Sequence, residues 1–240
     1  VGPDPQYRRR GLVRAQFDVI HDWSAQRGHK VQVITGIPHY YRQFGYEMGL
    51  ALDGGRMGYT PHIPKLAEET EEPYLIRTAQ KEDVPFINAL AQENAARFLI
   101  HCLRDEELWG YELDGKSQEN VTRFEIMIIE SADGDAVGFL AHPFFLWGPT
   151  LAIQIYELKA GISWFEVTPS VLRYIKETGE TYAAQKGDLD FQAFAMWLGT
   201  QHPVYQAIDD KLPRQRDPYA HYVRVADLPD FLRHIAPALE

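Results

Sequence analysis

The spacing of hydrophobic residues in the first sixty positions predicts a helix followed by a strand. Val13 and Phe17 belong to an apolar repeat at helical spacing, and the repeat stops at Gly28, a residue type common just beyond a helix end. Residues 31–35 then form a β-branched run that is typical of a strand. The aromatic segment 38–44 predicts a turn or a short helix, with a β-like tail after it.

The segment 61–73 interrupts this pattern. It contains three prolines and an acidic run but almost no periodic apolar signal, which is typical of a linker or an exposed connection. The chain is therefore expected to hold one region before this segment and another after it.

The region after the linker predicts a longer alternation of strands and helices. Asp133-Gly134 lies between two β-rich runs and predicts a hairpin turn. Thr168-Pro169 predicts the start of a helix, with Thr168 as its N-cap. The predicted strands are 74–78, 124–130, 137–141, 151–158, 191–198 and 219–225, and the predicted helices are 81–98, 168–187 and 202–212.

The order of elements in the first region matches the second half of the order in the second region. The tetrapeptides at 25–28 (AQRG) and 184–187 (AQKG) each precede a predicted strand. This favours a tandem duplication with a shortened first copy. The expected division is half a domain at 1–60, the linker at 61–73, a whole domain at 74–226 and the start of another domain at 227–240.

Composition narrows the class of protein. The 240 residues are 45% hydrophobic and 24% charged, which is ordinary for a globular protein and excludes disorder, collagen and coiled-coil arrays. The longest apolar runs are much shorter than the ~20 residues of a membrane-spanning helix. The single Cys102 excludes an intrachain disulfide and is expected to be buried. With no secretion signal at the start, the chain is expected to be cytoplasmic, and its first residue, Val1, suggests a piece of a longer protein.

The net charge of −10 is unevenly distributed. Residues 1–60 contain eight basic and five acidic side chains, a net charge of +3, and the rest of the chain carries −13. An acidic chain is poorly suited to general nucleic-acid binding, in which phosphate neutralisation supplies most of the affinity. A small basic region on an acidic protein indicates instead a small anionic ligand at one end.

The basic residues are concentrated where the first helix begins, in the sequence PQYRRRGLVR at 5–14. Backbone N–H groups at a helix start lack intrahelical partners and attract anions. Gly11 would leave room for a phosphate to approach the backbone. The alternative is a solvated basic cap on a helix that binds nothing.

Two motifs together resemble the GCN5-related N-acetyltransferases. Arg8-x-x-Gly11-x-Val13 resembles the family's coenzyme A pyrophosphate loop, Arg/Gln-x-x-Gly-x-Gly/Ala, except that Val13 replaces the small last residue. The segment 36–46 (GIPHYYRQFGY) resembles a later helix of the family, which has a Tyr and an aromatic-Gly-Tyr ending. The combination is similar to the enhanced intracellular survival (Eis) group, which has two tandem acetyltransferase-like domains and a C-terminal sterol-carrier-like domain.

The resemblance implies an α/β (α+β) fold with a mixed, mostly antiparallel sheet flanked by helices. The first domain would be partial, the second complete, and 227–240 would begin a sterol-carrier-like domain. The implied co-substrate is acetyl-CoA, without a metal, and the resemblance leaves room for a homo-oligomer. The residues that it assigns to acetyl-CoA are Val1, Gly2 and Pro3 along the pantetheine arm, Arg9, Arg10, Gly11, Leu12, Val13 and Arg14 around the pyrophosphate, and Gly36 and Ile37 at the thiol end.

The implied reaction is direct transfer of the acetyl group to a primary amine on a small molecule or a lysine, with backbone donors at the oxyanion. Tyr41 aligns with the tyrosine proposed as general acid in the family, whereas Tyr40 and Tyr46 are expected to pack. The alternative function is a non-catalytic acyl-CoA-binding or interaction module. The second region lacks the loop motif, because Glu166 would repel a phosphate and Pro169 removes an N–H donor, so no coenzyme A is expected there.

Overall fold

The computed structural model describes residues 3–98, 101–187 and 189–239, which fall into two compact units. The first unit combines the residues up to Leu52 with those from Tyr219 onward, and the second unit is Asp53–Pro218. Within the described residues, no helix has the length and apolar character needed to cross a membrane.

Short helices and strands alternate along the chain. The α-helices are α1 (Leu12–Gln26), α2 (Val84–Ala95), α3 (Glu106–Gly110), α4 (Trp164–Lys186), α5 (Val204–Ala207) and α6 (Leu228–Ile235). The strands are β1 (Val31–Ile34), β2 (Glu47–Leu52), β3 (Gly55–Tyr59), β4 (Tyr74–Thr78), β5 (Phe124–Ser131), β6 (Ala136–Pro143), β7 (Thr150–Ile153), β8 (Ile155–Leu158), β9 (Ala193–Met196), β10 (Arg214–Arg216) and β11 (Tyr219–Val225). Among the single-turn elements are 3-10 helices at Pro5–Tyr7 and Tyr40–Phe44 and a π-helical turn at Tyr111–Gly115.

The first unit is a three-stranded antiparallel sheet with α1 and α6. Its strand order is β1-β11-β2, so the strand latest in the sequence is the central one. Phe17 on α1 is buried in a small cluster with Tyr41, Tyr46 and Tyr222. The predicted first helix, first strand and short aromatic helix are confirmed.

The second unit has two four-stranded sheets, ordered β10-β3-β9-β7 and β4-β5-β6-β8. Alternate residues of β5 point to opposite faces, as the period of a strand requires. Met127 and Ile129 pack in the cluster that contains the buried face of α4, whereas Ile126 and Ile128 pack with α2 and Trp109. The hairpin predicted at Asp133-Gly134 joins β5 to β6.

The segment predicted as one strand at 151–158 is two strands in different sheets. β7 pairs in parallel with β9, and β8 pairs antiparallel with β6. The chain changes sheets at Gln154, whose N–H donates to the carbonyl of Ala141 at 2.9 Å. Alternation of apolar residues predicts extended backbone but not the pairing partner, and this is why the break was missed.

The predicted start of the helix at 168–187 is wrong. The α4 helix begins at Trp164, and its N-cap is Ser163, whose Oγ accepts the N–H of Glu166 at 3.3 Å. The Thr168 hydroxyl donates to the carbonyl of Trp164 at 2.6 Å, so it does not cap a free amide, and Pro169 lies inside the helix. A serine before the first helical residue is the stronger start signal because its hydroxyl reaches an amide that has no intrahelical partner.

The compact units divide the chain at different positions from the predicted 1–60 and 74–226. Residues 55–59 form β3, which pairs with β9 and β10 in the second unit, and 219–225 form β11 in the first. Each strand joins the sheet whose unpaired edges its backbone can satisfy, and this need not be the sheet of its sequence neighbours. The segment expected to start another domain, 227–240, belongs to the first unit in its described part, where Asp230 pairs with Lys30.

The segment 61–73 is part of the second unit and is only partly solvated. Ile63 is buried in the core, and Glu72 accepts hydrogen bonds from the guanidinium of Arg173, which lowers the pKa of Glu72. Cys102 is exposed, not buried as expected, because it lies in an irregular stretch before α3.

Candidate functional site

The first unit contains a sharply bent loop that leads into α1. A 3-10 turn at Pro5–Tyr7 is capped by Asp4, whose Oδ1 accepts the N–H of Gln6 at 3.0 Å. Arg9 and Gly11 then adopt left-handed conformations, with φ of 61° and 74°. These two residues turn the chain so that α1 starts directly after Gly11.

The first amides of α1 lack a side-chain acceptor among the described residues. Gly11 occupies the N-cap position and makes no capping bond, and the first turn contains no acidic side chain. An added Cβ at Gly11 would meet no atom within 4 Å, so the space beside this backbone is open. Helix geometry leaves the first N–H groups unsatisfied and positively polarised, and they are therefore available to an anion.

An open cleft of about 430 Å³ surrounds this helix start. One wall is the loop and first turn of α1, and the other is the 3-10 helix Tyr40–Phe44. The residues that line the cleft are Pro3, Tyr7, Arg8, Arg9, Arg10, Gly11, Leu12, Val13, Arg14, Tyr40, Gln43 and Phe44.

The four arginines of the cleft make no ion pair with a carboxylate in the part of the chain that the structure describes. Arg10 lies over the ring of Tyr7, with its guanidinium carbon 5.2 Å from the ring centroid. Arg14 lies over the ring of Phe44 at 5.3 Å and donates to Oε1 of Gln43 at 3.4 Å. Because no acidic partner neutralises it, this positive charge is available to a ligand.

Tyr41 lies deeper in the same unit, on the turn that lines the cleft. Its side chain is 5% exposed, and its ring packs edge-on against Phe17 and Tyr40. A Cβ built on Gly36 would lie 2.7 Å from the Tyr41 hydroxyl oxygen, so this hydroxyl sits directly beside the backbone of Gly36. Gly36 has a φ of 147°, and Ile37 is exposed.

Tyr46 is a buried neighbour of Tyr41, and its hydroxyl lies 3.1 Å from Nε2 of His21. Burial raises the pKa of Tyr46. Burial, together with the positive charge of Arg224, lowers the pKa of His21. Tyr46 therefore packs in the buried aromatic cluster of the first unit, where the sequence analysis expected a packing side chain.

The structure brings most of the predicted coenzyme A residues into one cleft. Those are Pro3, Arg9, Arg10, Gly11, Leu12, Val13 and Arg14. Gly36, Ile37 and Tyr41 lie together but do not line the cleft, and Val1 and Gly2 fall outside the described residues. The 3-10 helix at 40–44 connects the cleft residues with the group at Gly36, Ile37 and Tyr41, because it carries Tyr41 and also forms one wall of the cleft.

Several residues of this site were not predicted. Tyr7, Gln43 and Phe44 line the cleft, and so does Tyr40, which was expected only to pack. Tyr219 and Tyr222 on β11 contact the loop that contains Gly36. Arg8, the first residue of the RRRG sequence at 8–11, could have been predicted from that cluster, but nothing in the sequence indicates which late strand lies next to Gly36.

The corresponding helix of the second unit has a different start. Ser163 already caps an amide of α4, and Glu166 places a carboxylate in the first turn. Among the described residues, no group of three or more potential metal ligands converges.

Comparison with known proteins gives similarity at the level of structure. No protein-family model matches the chain, and no curated protein sequence matches it either. The solved structures it resembles include a conserved Enterococcus faecalis protein described as a probable N-acyltransferase, with 17% identity and a TM-score of 0.62. A GCN5-related N-acetyltransferase from Anabaena variabilis has 14% identity and a TM-score of 0.59, and Eis1 from Mycobacterium abscessus has 17% identity and a TM-score of 0.54.

The similarity extends over nearly the whole chain. The three structures cover 97%, 95% and 97% of its residues, but the chain spans only 54%, 54% and 56% of theirs, about half the length of each. At this level of identity the likeness concerns the fold. The chain therefore has the mixed α/β fold of the GCN5-related N-acetyltransferases.

Proposed function

We propose that this chain binds acetyl-CoA in the cleft at the start of α1 and serves in acetyl transfer to a primary amine. The observation that carries the proposal is the combination, in one cleft, of uncapped helix amides with four arginines that have no carboxylate partner among the described residues. An elongated ligand with several phosphates suits both features. The fold shared with N-acetyltransferases supports the same ligand class.

The proposed ligand contacts combine residues that line the cleft with the group at Gly36, Ile37 and Tyr41, which lies outside its lining. Arg9, Arg10 and Arg14 would hold the phosphates by charge, and the amides at Gly11–Arg14 would donate to the pyrophosphate. Pro3 would lie along the pantetheine arm. Gly36 and Ile37 would flank the thioester, beside the hydroxyl of Tyr41.

In the proposed reaction a neutral amine attacks the thioester carbonyl, so that the C–N bond forms and the C–S bond breaks. Tyr41 donates its phenolic proton to the departing thiolate, and the proton released from the amine replaces it. The acceptor is a primary amine on a small molecule or on a lysine. Tyr41→Phe is expected to lower the transfer rate about a hundredfold while the Kd for acetyl-CoA stays unchanged, and an unchanged rate would exclude the proton-donor role.

The test of the binding site uses two substitutions of Gly11 that differ in charge but not in shape. Asn and Asp both tolerate a left-handed conformation, and the open space beside Gly11 accommodates either side chain. Gly11→Asp places a carboxylate at the helix amides and is expected to weaken acetyl-CoA binding at least about tenfold more than Gly11→Asn does. Isothermal titration measures both, and equal affinities would contradict binding at the helix start and leave the loop as a basic helix cap that does not contact the ligand.

The second candidate is a non-catalytic acyl-CoA-binding or interaction module. It is favoured by the separation of Tyr41 from the residues that line the cleft. The two candidates are distinguished by incubating the chain with acetyl-CoA and a panel of small amines and lysine peptides. Free thiol release together with an acetylated amine supports the transferase, and tight binding without product supports the module.

The second unit is not expected to bind acetyl-CoA at α4. Its N-terminal amide already donates to Ser163, and Glu166 would repel a phosphate. Titration of the whole chain should therefore give one acetyl-CoA per chain. A stoichiometry of two would contradict this assignment.

A further inference from the structure

The loop after β1, at residues 35–39, is held by two tyrosines from the far end of the chain. Ile34 is the last residue of β1 and pairs with Tyr222 of β11, so residues 219–221 continue past the end of β1. The loop does not pair with these residues of β11. Two tyrosine hydroxyls of β11 bond to its backbone instead.

The hydroxyls of Tyr219 and Tyr222 form hydrogen bonds with the backbone of this loop. The Tyr219 hydroxyl donates to the carbonyl of Gly36 at 3.2 Å. The Tyr222 hydroxyl donates to the carbonyl of Ile37 at 3.3 Å and accepts the N–H of His39. The loop conformation is unusual, because Gly36 and His39 both have positive φ values, of 147° and 64°.

Tyr222 also contacts the side chain next to this loop. Its ring is completely buried and lies 5.3 Å from the ring of Tyr41, centroid to centroid. One side chain therefore touches both the loop at 36–39 and Tyr41.

We propose that Tyr222, assisted by Tyr219, is a positioning residue that fixes the loop 36–39 and the Tyr41 hydroxyl for acetyl transfer. The inference rests on the proposed function, in which Gly36 and Ile37 flank the thioester and Tyr41 donates a proton. Neither tyrosine lines the α1 cleft, so they act on the transfer step and not on the binding of the phosphates. Geometry errors of about 1 Å at a reacting group can cost about a hundredfold in rate.

The first experiment compares Tyr222→Phe with Tyr46→Phe in the whole chain. Each variant removes one buried hydroxyl from the same aromatic cluster, but only Tyr222 bonds to the loop, since the Tyr46 hydroxyl pairs with His21. Tyr222→Phe is expected to lower kcat by about tenfold to a hundredfold with an unchanged Kd for acetyl-CoA. Tyr46→Phe is expected to keep kcat, and equal losses in the two variants would overturn the proposal.

The second experiment tests whether Tyr222 acts through Tyr41. If it does, the double variant Tyr222→Phe/Tyr41→Phe is no slower than Tyr41→Phe alone, because the group being positioned is already absent. Multiplicative losses would show that Tyr222 does not work through the Tyr41 hydroxyl. A thermal unfolding curve of each variant separates these effects from a loss of folded protein.

Amide hydrogen exchange supplies a readout that does not need catalysis. Tyr222→Phe should speed exchange at the His39 amide, which loses its acceptor, while the amides of α1 keep their protection. Unchanged protection at His39 would overturn the positioning role even in a chain that transfers acetyl groups. If no amine is acetylated by the wild-type chain, the proposed function fails, and the exchange result still decides whether Tyr222 holds the loop.

Discussion

His202 is a titratable side chain that the second unit holds away from water. It is 5% exposed, its Nε2–H donates to the carbonyl of Tyr156 at 2.9 Å, and its Nδ1 accepts the N–H of Val204 at 3.3 Å. Burial, with a smaller contribution from the positive charge of Arg97, lowers the pKa of His202 to about 3. The ring is therefore neutral in the folded chain at every pH near neutrality.

This burial predicts a loss of stability in mild acid. An unfolded His202 takes up a proton as the pH falls through 6.5, whereas the folded one does so only near pH 3. Folding is therefore penalised increasingly between these values, by at most about 1.4 kcal/mol per pH unit. Urea unfolding from pH 7 to pH 4 should show a shallower decline for His202→Gln than for the wild type, and parallel declines would contradict the prediction.

At the scale of residues, the sequence indicates where charged side chains cluster better than it indicates which distant side chains touch in the fold. Arg9, Arg10 and Gly11 are adjacent in sequence, so their joint position at the helix start could be predicted. Tyr222 is 181 positions after Tyr41 in the numbering, and only the sheet order brings the two rings together. Contacts of this kind depend on strand pairing, which a local pattern does not encode.

Gly179 in the middle of α4 is a packing residue of that helix. A Cβ there would lie 2.5 Å from a ring carbon of Phe191, whereas a Cβ on Gly110 in α3 would meet nothing within 4 Å. Gly179→Ala is therefore expected to destabilise the chain by about 1–3 kcal/mol through overpacking. Gly110→Ala is the matched control and should be neutral or stabilise by up to about 1 kcal/mol, because alanine favours a helix.

Chemical denaturation of the two variants measures both changes in the free energy of unfolding. If Gly179→Ala and Gly110→Ala both raise the free energy of unfolding, Gly179 does not pack closely against Phe191 and the prediction is wrong. The comparison is internal, since both substitutions add one methyl group to a helical glycine.

Elements with strong local signals were predictable, and those set by tertiary pairing were not. The hairpin of β5 and β6 follows from an Asp-Gly turn between two apolar runs, and α1 follows from its repeat and its terminal Gly28. The split of 151–158 into β7 and β8 depends on two different partner strands, β9 and β6. The start of α4 was misplaced because Thr168-Pro169 imitates a cap within a helix that Ser163 already caps.

At the scale of the molecule, the order of strands in space differs from their order in sequence. β3 comes from the first sixty residues but belongs to the second unit, and β11 comes from the end of the chain but is the central strand of the first. Local periodicity could predict that both segments are strands. It could not predict that β3 joins a sheet of the second unit and β11 the sheet of the first, because either sheet offers suitable hydrogen-bonding edges.

The central position of β11 makes the first unit dependent on the end of the chain. β1 and β2 do not pair with each other, and each pairs only with β11 among the described strands. A chain that ends at Pro218 should therefore lose the sheet of the first unit and, with it, acetyl-CoA binding. Its second unit, Asp53–Pro218, keeps both of its own sheets and its core.

Hydrogen exchange along the truncated chain measures this directly. Amides of 31–34 and 47–52 should exchange freely, while those of β5 and β6 stay protected. A chain that ends at Ala226 is the matched control, since it retains β11 and lacks only α6 and the residues after it, of which none that the structure describes is buried. Persistent protection of β1 and β2 in the chain that ends at Pro218 would show that their sheet does not require β11. Protection of β1 and β2 only in the chain that ends at Ala226 would show that the first unit, and with it the cleft, depends on β11.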